Sequence, residues 1–263
     1  MKAIILAAGE GKRLRPLTND VPKCMISLFG KSLLERQIET FSNCTIYDIT
    51  VVTGYRSDKI NIPNIRYFRN DNYNTTNMVE TLFCAKEIMN DSIIVSYGDI
   101  IFQKNVLQKL ISSNDDFSVV IDKDWLKYWK IRFKNPLDDA ENLKIDEDGY
   151  IKNIGQKVSS VDEIMGQYIG LMKFQNKGLE FLKKYYEVTK NRAKTGSNPL
   201  NPTLPFEKSF MTDLLSGLIK EDCKIKAVPI NNGWLELDTS DDFQLYEKMY
   251  RDESLKAFFS SDV

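Results

Sequence analysis

The sequence of 263 residues contains no histidine. That absence removes the side chain most used for proton transfer near neutral pH, and with it the Ser-His-Asp and Cys-His hydrolases. It also leaves Cys24, Cys44, Cys84 and Cys223 without partners for a zinc site. None of the four stands at CxxC spacing, so free thiols in a reducing cytoplasm are expected. Excess charge is lacking too: 36 Lys and Arg against 37 Asp and Glu, spread along the chain, make no electrostatic case for nucleic acid or an anionic membrane. No apolar run approaches the roughly 20 residues of a spanning helix, and "MKAIILAAGEG" meets Gly9, Glu10 and Gly11 too soon for a secretory segment. What these exclusions leave is a cytoplasmic protein whose partner is a small molecule.

What is present is an alternation of short β-branched runs and amphipathic stretches over the first 120 residues. "KAIILAA", "DITVVTG", "IRYFRN", "SIIVSYGD" and "FSVVID" read as strands; "SLLERQIETFSN", "NMVETLFCAKEIM" and "NVLQKLISS" read as helices. Such alternation predicts an α/β fold with a doubly wound, mostly parallel mixed sheet, which binds ligands beyond the carboxyl ends of its strands. After Asp122 the character changes. "NLKIDEDGYIKNIGQK" predicts a hairpin around Asp148-Gly149 and "GQYIGLMKF" a strand. Helices are expected at 176–191 and 205–221, then a strand in "CKIKAVPI" and a short strand leading to a helix in "NNGWLELDTSDDFQLYEKMYRD". A single domain, 1–263, is favoured, with a small substrate-facing β insertion. Residues 1–122 form one half and 123–263 the other, which ends in a helix.

"ILAAGEGKRLRPLTNDVPK" follows the first strand directly. It has no third glycine for a dinucleotide fingerprint and no GK[ST] of a Walker A motif. What remains is a glycine turn whose backbone N–H groups can face an anion, with Arg13 and Lys23 adding full positive charges. The pattern LAAGxGxRxxPLTxxxPK resembles the signature of the sugar-phosphate nucleotidyltransferases, which join a nucleoside triphosphate to a phosphorylated acceptor and release pyrophosphate. "YGDI" at 97–100 is similar to that family's strand-ending GD, and "GWLELDTSDDF" at 233–243 to its W-x-E-[IL]-D-[TS]-x-x-D element. "IGQKVSS" stands where the family carries a lysine for the acceptor phosphate, with Gln156, Lys157 and Val158 in place of E-K-P.

The resemblance implies Mg²⁺ held by Asp99 and Asp238, Lys23 on the transferring phosphate and Arg13 on the leaving β- and γ-phosphates. It also implies a nucleotide cradle of Leu6, Ala7, Ala8, Gly9, Glu10, Gly11 and Lys12 together with Gly98. Glu236, alternating to the same strand face as Asp238, is a weaker candidate behind it. Because an acceptor phosphate is already ionised, it can attack the α-phosphorus with no proton removed first, and the missing histidine ceases to be a puzzle. Two readings of Asp238 stand side by side, metal ligand and N-cap of the following helix, a role for which Thr239, Ser240 and Asp241 compete.

Asn77 reads as an N-cap with Glu80 three residues on, a capping-box-like start, and Thr75, Thr76 and Asn77 could meet a base edge or merely cap the helix. "VVIDKDWLKYWKIRFKNPLDDAENLKI" and its neighbours resemble the cytidylyltransferase branch, which acts on phosphocholine, aminoethylphosphonate or phosphorylated amino-acid amides for cell-surface polysaccharide decoration. CTP and a small phosphorylated acceptor are then the expected partners. Trp125, Tyr128 and Trp129 share one helical face that could enclose an ammonium group, while Arg132 could grip a carboxylate; the same stripe fits a packed core equally. Gln167 is placed with Lys157, Trp125, Trp129 and Arg132 in the acceptor set. The alternatives are a uridylyl- or thymidylyltransferase making a nucleotide sugar and a non-catalytic nucleotide-sensing subunit; a glycosyltransferase is disfavoured because "GDII" lacks a DxD motif. A homo-oligomer, and a lid or interface role for "NRAKTGSNPLNP", stay open.

Overall fold

Lys2–Ala7 is apolar at both inward and outward positions, and the strand it forms, β1, is buried on both faces: Ala3, Ile5 and Ala7 enter one apolar core, Ile4 and Leu6 the other. A strand with no polar face belongs inside a sheet covered on both sides. The computed structural model describes residues 1–260. After a two-residue ladder of β2 (Ser27–Leu28) and β3 (Lys31–Ser32), helix α1 (Leu33–Asn43) starts on a capping box: Ser32 Oγ accepts from Glu35 N–H and the Glu35 carboxylate accepts from Ser32 N–H. The chain continues with β4 (Ile49–Thr53), β5 (Arg66–Arg69), α2 (Met78–Phe83), β6 (Ile93–Tyr97), β7 (Ile100–Phe102), α3 (Lys104–Ser112) and β8 (Phe117–Asp122).

The remainder contains α4 (Trp125–Arg132), the hairpin β9 (Glu141–Ile145) and β10 (Ile151–Lys157), then β11 (Gln167–Phe174) and α5 (Asn176–Ala193). It closes with α6 (Met211–Lys220), β12 (Ile225–Ile230), β13 (Trp234–Glu236) and α7 (Ser240–Arg251). The central sheet has seven strands in the order β12-β8-β11-β6-β1-β4-β5, parallel except that β11 runs antiparallel to both its neighbours. Apolar faces of α1, α3, α4 and α7 cover one side and those of α2, α5 and α6 the other, so the sheet is doubly wound as expected. No helix among the described residues is long and apolar enough to cross a membrane, and the four cysteines are free.

Three features place the site. Gly98 ends β6 against the β1 loop, its N–H donating to Leu6 O at 2.9 Å; a Cβ there would stand 2.7 Å from Leu6 O, so only glycine permits the approach. The ladder of β7 with β13 then binds residues 100–102 antiparallel to residues 234–236, and Leu237 N–H donates to Asp99 O at 2.9 Å. Finally the register of β11 against β8 shifts between Tyr168 and Met172, a bulge that contains Gly170 at φ 81 and makes room for the Tyr97 ring.

One local expectation is corrected. Asn77 does cap α2, its Oδ1 accepting from Met78 N–H at 2.8 Å, but Glu80 does not close a capping box. Its carboxylate turns to α5, where it accepts from Lys190 Nζ at 2.7 Å and from Tyr186 OH at 2.7 Å. A full ammonium partner outcompetes one backbone N–H.

Candidate functional site

Lys23 sits in a short turn of helix at the end of the glycine-rich loop and donates to two carboxylates at once, Asp99 Oδ2 at 2.8 Å and Asp238 Oδ1 at 2.8 Å. Residues 76 and 215 positions away in sequence thus meet one nitrogen. Burial pulls the Lys23 ammonium down, but Asp99 and Asp238 together outweigh it and hold the pKa above its ordinary value. The lysine stays charged throughout the neutral range. Arg13, with an exposed side chain, pairs with the second oxygen of Asp238. Of the four oxygens of these two carboxylates, Asp99 Oδ1 is buried without a hydrogen-bond partner among the described residues. The neighbouring Cys24 thiol is pushed up to about 12 by burial and is inert as a nucleophile.

The competing N-cap reading of Asp238 is settled by the helix itself. Thr239 is the N-cap of α7, with Asp242 completing a capping box, which leaves the Asp238 carboxylate to Lys23 and Arg13. Glu236, expected behind Asp238, pairs with Arg132 at 2.8 Å.

A cavity opens beside this charge cluster, lined by Leu6 and Ala7 from the end of β1, Ala8 and Gly9 from the loop, Thr76 and Asn77 from the α2 start, and Tyr97, Gly98 and Asp99 from the end of β6. A Cβ built on Gly9 meets nothing within 4 Å, so the fold alone places no demand for glycine there. Glu10, Gly11, Lys12 and Thr75 lie outside the lining. Glu10 instead pairs with Lys12 and Arg15, at 3.4 and 3.7 Å, and Gly11 takes a left-handed φ of 63 to turn the loop, which Thr18 Oγ1 ties down by donating to Gly11 O at 2.8 Å. Tyr55 OH holds the same loop from outside, donating to Thr18 O and Asn19 O.

Of the side chains expected at 75–77, Thr76 and Asn77 line the cavity and Thr75 does not. Thr75 and Thr76 both donate to Asn72 O, Thr76 Oγ1 also accepts from Asn70 Nδ2, and Asn77 Nδ2 donates to Lys208 O. These bonds tie the loop to itself and to Lys208, and Thr76 and Asn77 form part of the cavity wall.

The acceptor set is corrected more heavily. Helix α4 exists, yet Trp125 and Trp129 are only 4% exposed and belong to the apolar core, Trp129 Nε1 donating to Asp139 at 3.1 Å. The Arg132 side chain is fully buried and bound to Asp242 and Glu236. Gln167 is buried, with Nε2 donating to Glu141 O and Oε1 accepting from Glu141 N–H, which stitches β11 to β9. Apolar burial of indoles won over an open aromatic cage. Lys157 alone of the set is exposed, at the end of β10 and opposite Glu141 in the ladder, its side chain making no hydrogen bond or ion pair among the described residues.

Residues that sequence reasoning passed over surround this region. Glu141, on β9, is raised to about 7 by burial and then by the like charges of Asp139 and Asp213. Asp139 is raised as well, by burial and by the nearby Asp238, against the pull of Arg132. Tyr97 and Tyr168 pack edge-to-face at 5.6 Å and are held protonated chiefly by burial. Gln37 of α1, fully buried, donates to Tyr97 O at 2.9 Å and Ile100 O at 2.7 Å and accepts from Ser96 Oγ, bracketing the turn that carries Asp99. An amide on the otherwise apolar face of "SLLERQIETF" was the signal available for it.

Residues 3–149 match the family model described as MobA-like NTP transferase domain. The chain is 40% identical over 256 residues to the CTP:phosphoglutamine cytidylyltransferase of Campylobacter jejuni, covering 93% of this chain and 98% of that protein. It is 35% identical over 123 residues to the choline-phosphate cytidylyltransferase of Streptococcus pneumoniae, 45% of this chain and 53% of the other. Among solved structures, the CTP:phosphocholine cytidylyltransferase of Streptococcus pneumoniae superposes with a TM-score of 0.71 at 21% identity, covering 95% and 98% of the two chains, a likeness of fold.

Proposed function

The chain belongs to the MobA-like NTP transferase family, and on that premise we propose that it transfers CMP from CTP to the phosphate of a small acceptor and releases pyrophosphate. The observation that carries this reading is the convergence of Lys23, Asp99, Asp238 and Arg13 beside the cavity walled by residues 6–9 and 97–99. A binding module has no need of two carboxylates and two cations focused on one point. Similarity over nearly the full length of the phosphoglutamine enzyme favours a phosphorylated amino-acid amide as acceptor, with phosphocholine and aminoethylphosphonate as the nearest other candidates.

The buried, unpartnered Asp99 Oδ1 and the facing Asp238 carboxylate form a hard oxygen donor set that fits Mg²⁺, an ion that keeps several waters and needs few protein ligands. When bound, Mg²⁺ would supply charge neutralisation on the triphosphate. In this scheme the acceptor phosphate oxygen bonds to the α-phosphorus while the bond to the bridging oxygen of the β-phosphate breaks, the electron pair leaving with pyrophosphate. No proton moves, so no base is required. Lys23 compensates charge at the transferring phosphate and Arg13 at the leaving one, whereas the open backbone at Gly9 admits the phosphates closely. Lys157, exposed and unpaired, is assigned to the acceptor phosphate.

We further assign residues 1–122 chiefly to nucleotide binding and 123–263 to the acceptor and the Asp238 element. Such an enzyme acts where CTP is made, in the cytoplasm, and its product would serve cell-surface polysaccharide decoration. The test is pyrophosphate release with each NTP in turn against phosphoglutamine, phosphocholine, aminoethylphosphonate and sugar 1-phosphates. A preference for CTP with the amide acceptor is expected; turnover of UTP or dTTP with a sugar 1-phosphate instead would overturn the cytidylyl assignment.

A further inference from the structure

By sequence Arg132 could grip an acceptor carboxylate, yet the structure gives it a different set of partners. Its side chain has no exposure, is packed against the rings of Tyr128, Trp129 and Phe133 at 5.2, 5.6 and 5.0 Å, and bonds Asp242 in a two-point fork, Nε to Oδ1 at 2.9 Å and Nη2 to Oδ2 at 3.1 Å. Nη1 donates to Glu236 at 2.8 Å. Asp242, 4% exposed, uses Oδ2 to accept from the backbone N–H of Asp238 at 3.1 Å and of Thr239 at 2.9 Å. Burial would raise the Asp242 carboxyl, but the Arg132 bonds and these N–H groups hold it below the usual range.

From this geometry we propose that Arg132 is a positioning residue for Asp238, acting through Asp242, and not a contact of the acceptor. The deduction rests on the nucleotidyl-transfer reading for its importance, though not for its geometry. A bidentate guanidinium-carboxylate fork fixes the Asp242 plane in a way a single ammonium cannot. Asp242 in turn fixes the backbone of Asp238 from the α7 side, while Leu237 N–H on Asp99 O fixes it from the strand side. Between the two holds, the Asp238 carboxylate has one direction to point, toward Lys23. The three rings around Arg132 shut out the water that would compete for the fork.

The decisive variant is Arg132→Lys, which keeps the charge and removes the fork. Asp242→Asn is its companion: it retains an oxygen for the Asp238 N–H but turns an amide donor toward the guanidinium. Mn²⁺ binding to the full chain, followed by electron paramagnetic resonance with CTP present, is expected to weaken about 10-fold in each. Steady-state kinetics with Mg²⁺ should show kcat lowered at least as much and the acceptor KM within about 3-fold of the parent. Thermal unfolding confirms that each variant folds, and either one suffices. Unchanged Mn²⁺ affinity in Arg132→Lys would overturn the proposal, as would a raised acceptor KM with metal binding intact. If no NTP supports turnover by the parent protein, the transfer reading falls, while the Mn²⁺ titration still decides the role of Arg132.

Discussion

Lys23 shares its three protons between two aspartates of which one oxygen, Asp99 Oδ1, is left with nothing to accept from. Asp99→Asn would remove the charge from that oxygen pair while keeping its size, and kcat for pyrophosphate release is expected to fall roughly 10²- to 10³-fold with the melting temperature little changed. Full turnover by that variant would contradict the scheme. Glu141 offers a separate handle through pH. Its folded pKa of about 7 lies above the ordinary 4.5, so the folded state binds the extra proton and stability falls as pH rises from about 4.5 to about 7. Glu141→Gln should therefore be more stable than the parent above pH 7, by on the order of 1 kcal/mol after allowing for partial solvent screening, and equal to it near pH 4. Parallel melts at the two pH values check this. Lys23, Arg13, Asp99 and Asp238 could all be singled out in the sequence, Arg13 and Lys23 from one motif of fixed spacing and Asp99 and Asp238 from two shorter ones. Glu141 could not be, because nothing in "AENLKI" says which carboxylate the fold will bury.

At the scale of elements, the strands and most helices could be read from periodicity: β1, β4, β6, β8, β11 and β12 lie within a residue or two of their apolar runs. The short β7 and its pairing with β13 were not readable, as three residues carry no period and their partner lies far along the chain. Helix α4 was read as a helix face, but its environment was misjudged, because an aromatic stripe has the same spacing whether it lines a pocket or a core. What makes the Asp99 turn a rigid element is the buried Gln37 of α1. Gln37→Leu preserves shape and removes the amide donor from the Tyr97 and Ile100 carbonyls, of which Tyr97 O keeps Ser96 Oγ, a cost of about 1–3 kcal/mol. Chemical denaturation is expected to report that loss, with kcat reduced further than stability alone accounts for; unimpaired kcat would separate Gln37 from the site.

On the scale of the whole molecule, the two sequence halves interlock. Strand β11 lies between β6 and β8, the Asn77 N–H donates to Glu207 O at 2.8 Å, and Glu80 of α2 is bound to Lys190 of α5 at 2.7 Å. Residues 1–122 expressed alone would present β6 and β8 with an empty hydrogen-bonding slot between them and both apolar faces partly uncovered. Such a fragment is expected to show no cooperative thermal transition by circular dichroism, and a sharp transition would show that β11 is dispensable to the sheet. The interlocking could not be foreseen from the alternation of strands and helices, which fixes element types but not the order of strands across a sheet. The placing of β13 has a consequence in time. A ribosome delivers Lys23 and Asp99 long before Asp238, and the β7 edge at residues 100–102 waits for residues 234–236. Contacts this remote in sequence form late. The nascent chain therefore carries its glycine-rich loop long before it holds the second aspartate, so that a chain released before Asp238 would lack the Lys23–Asp238 contact.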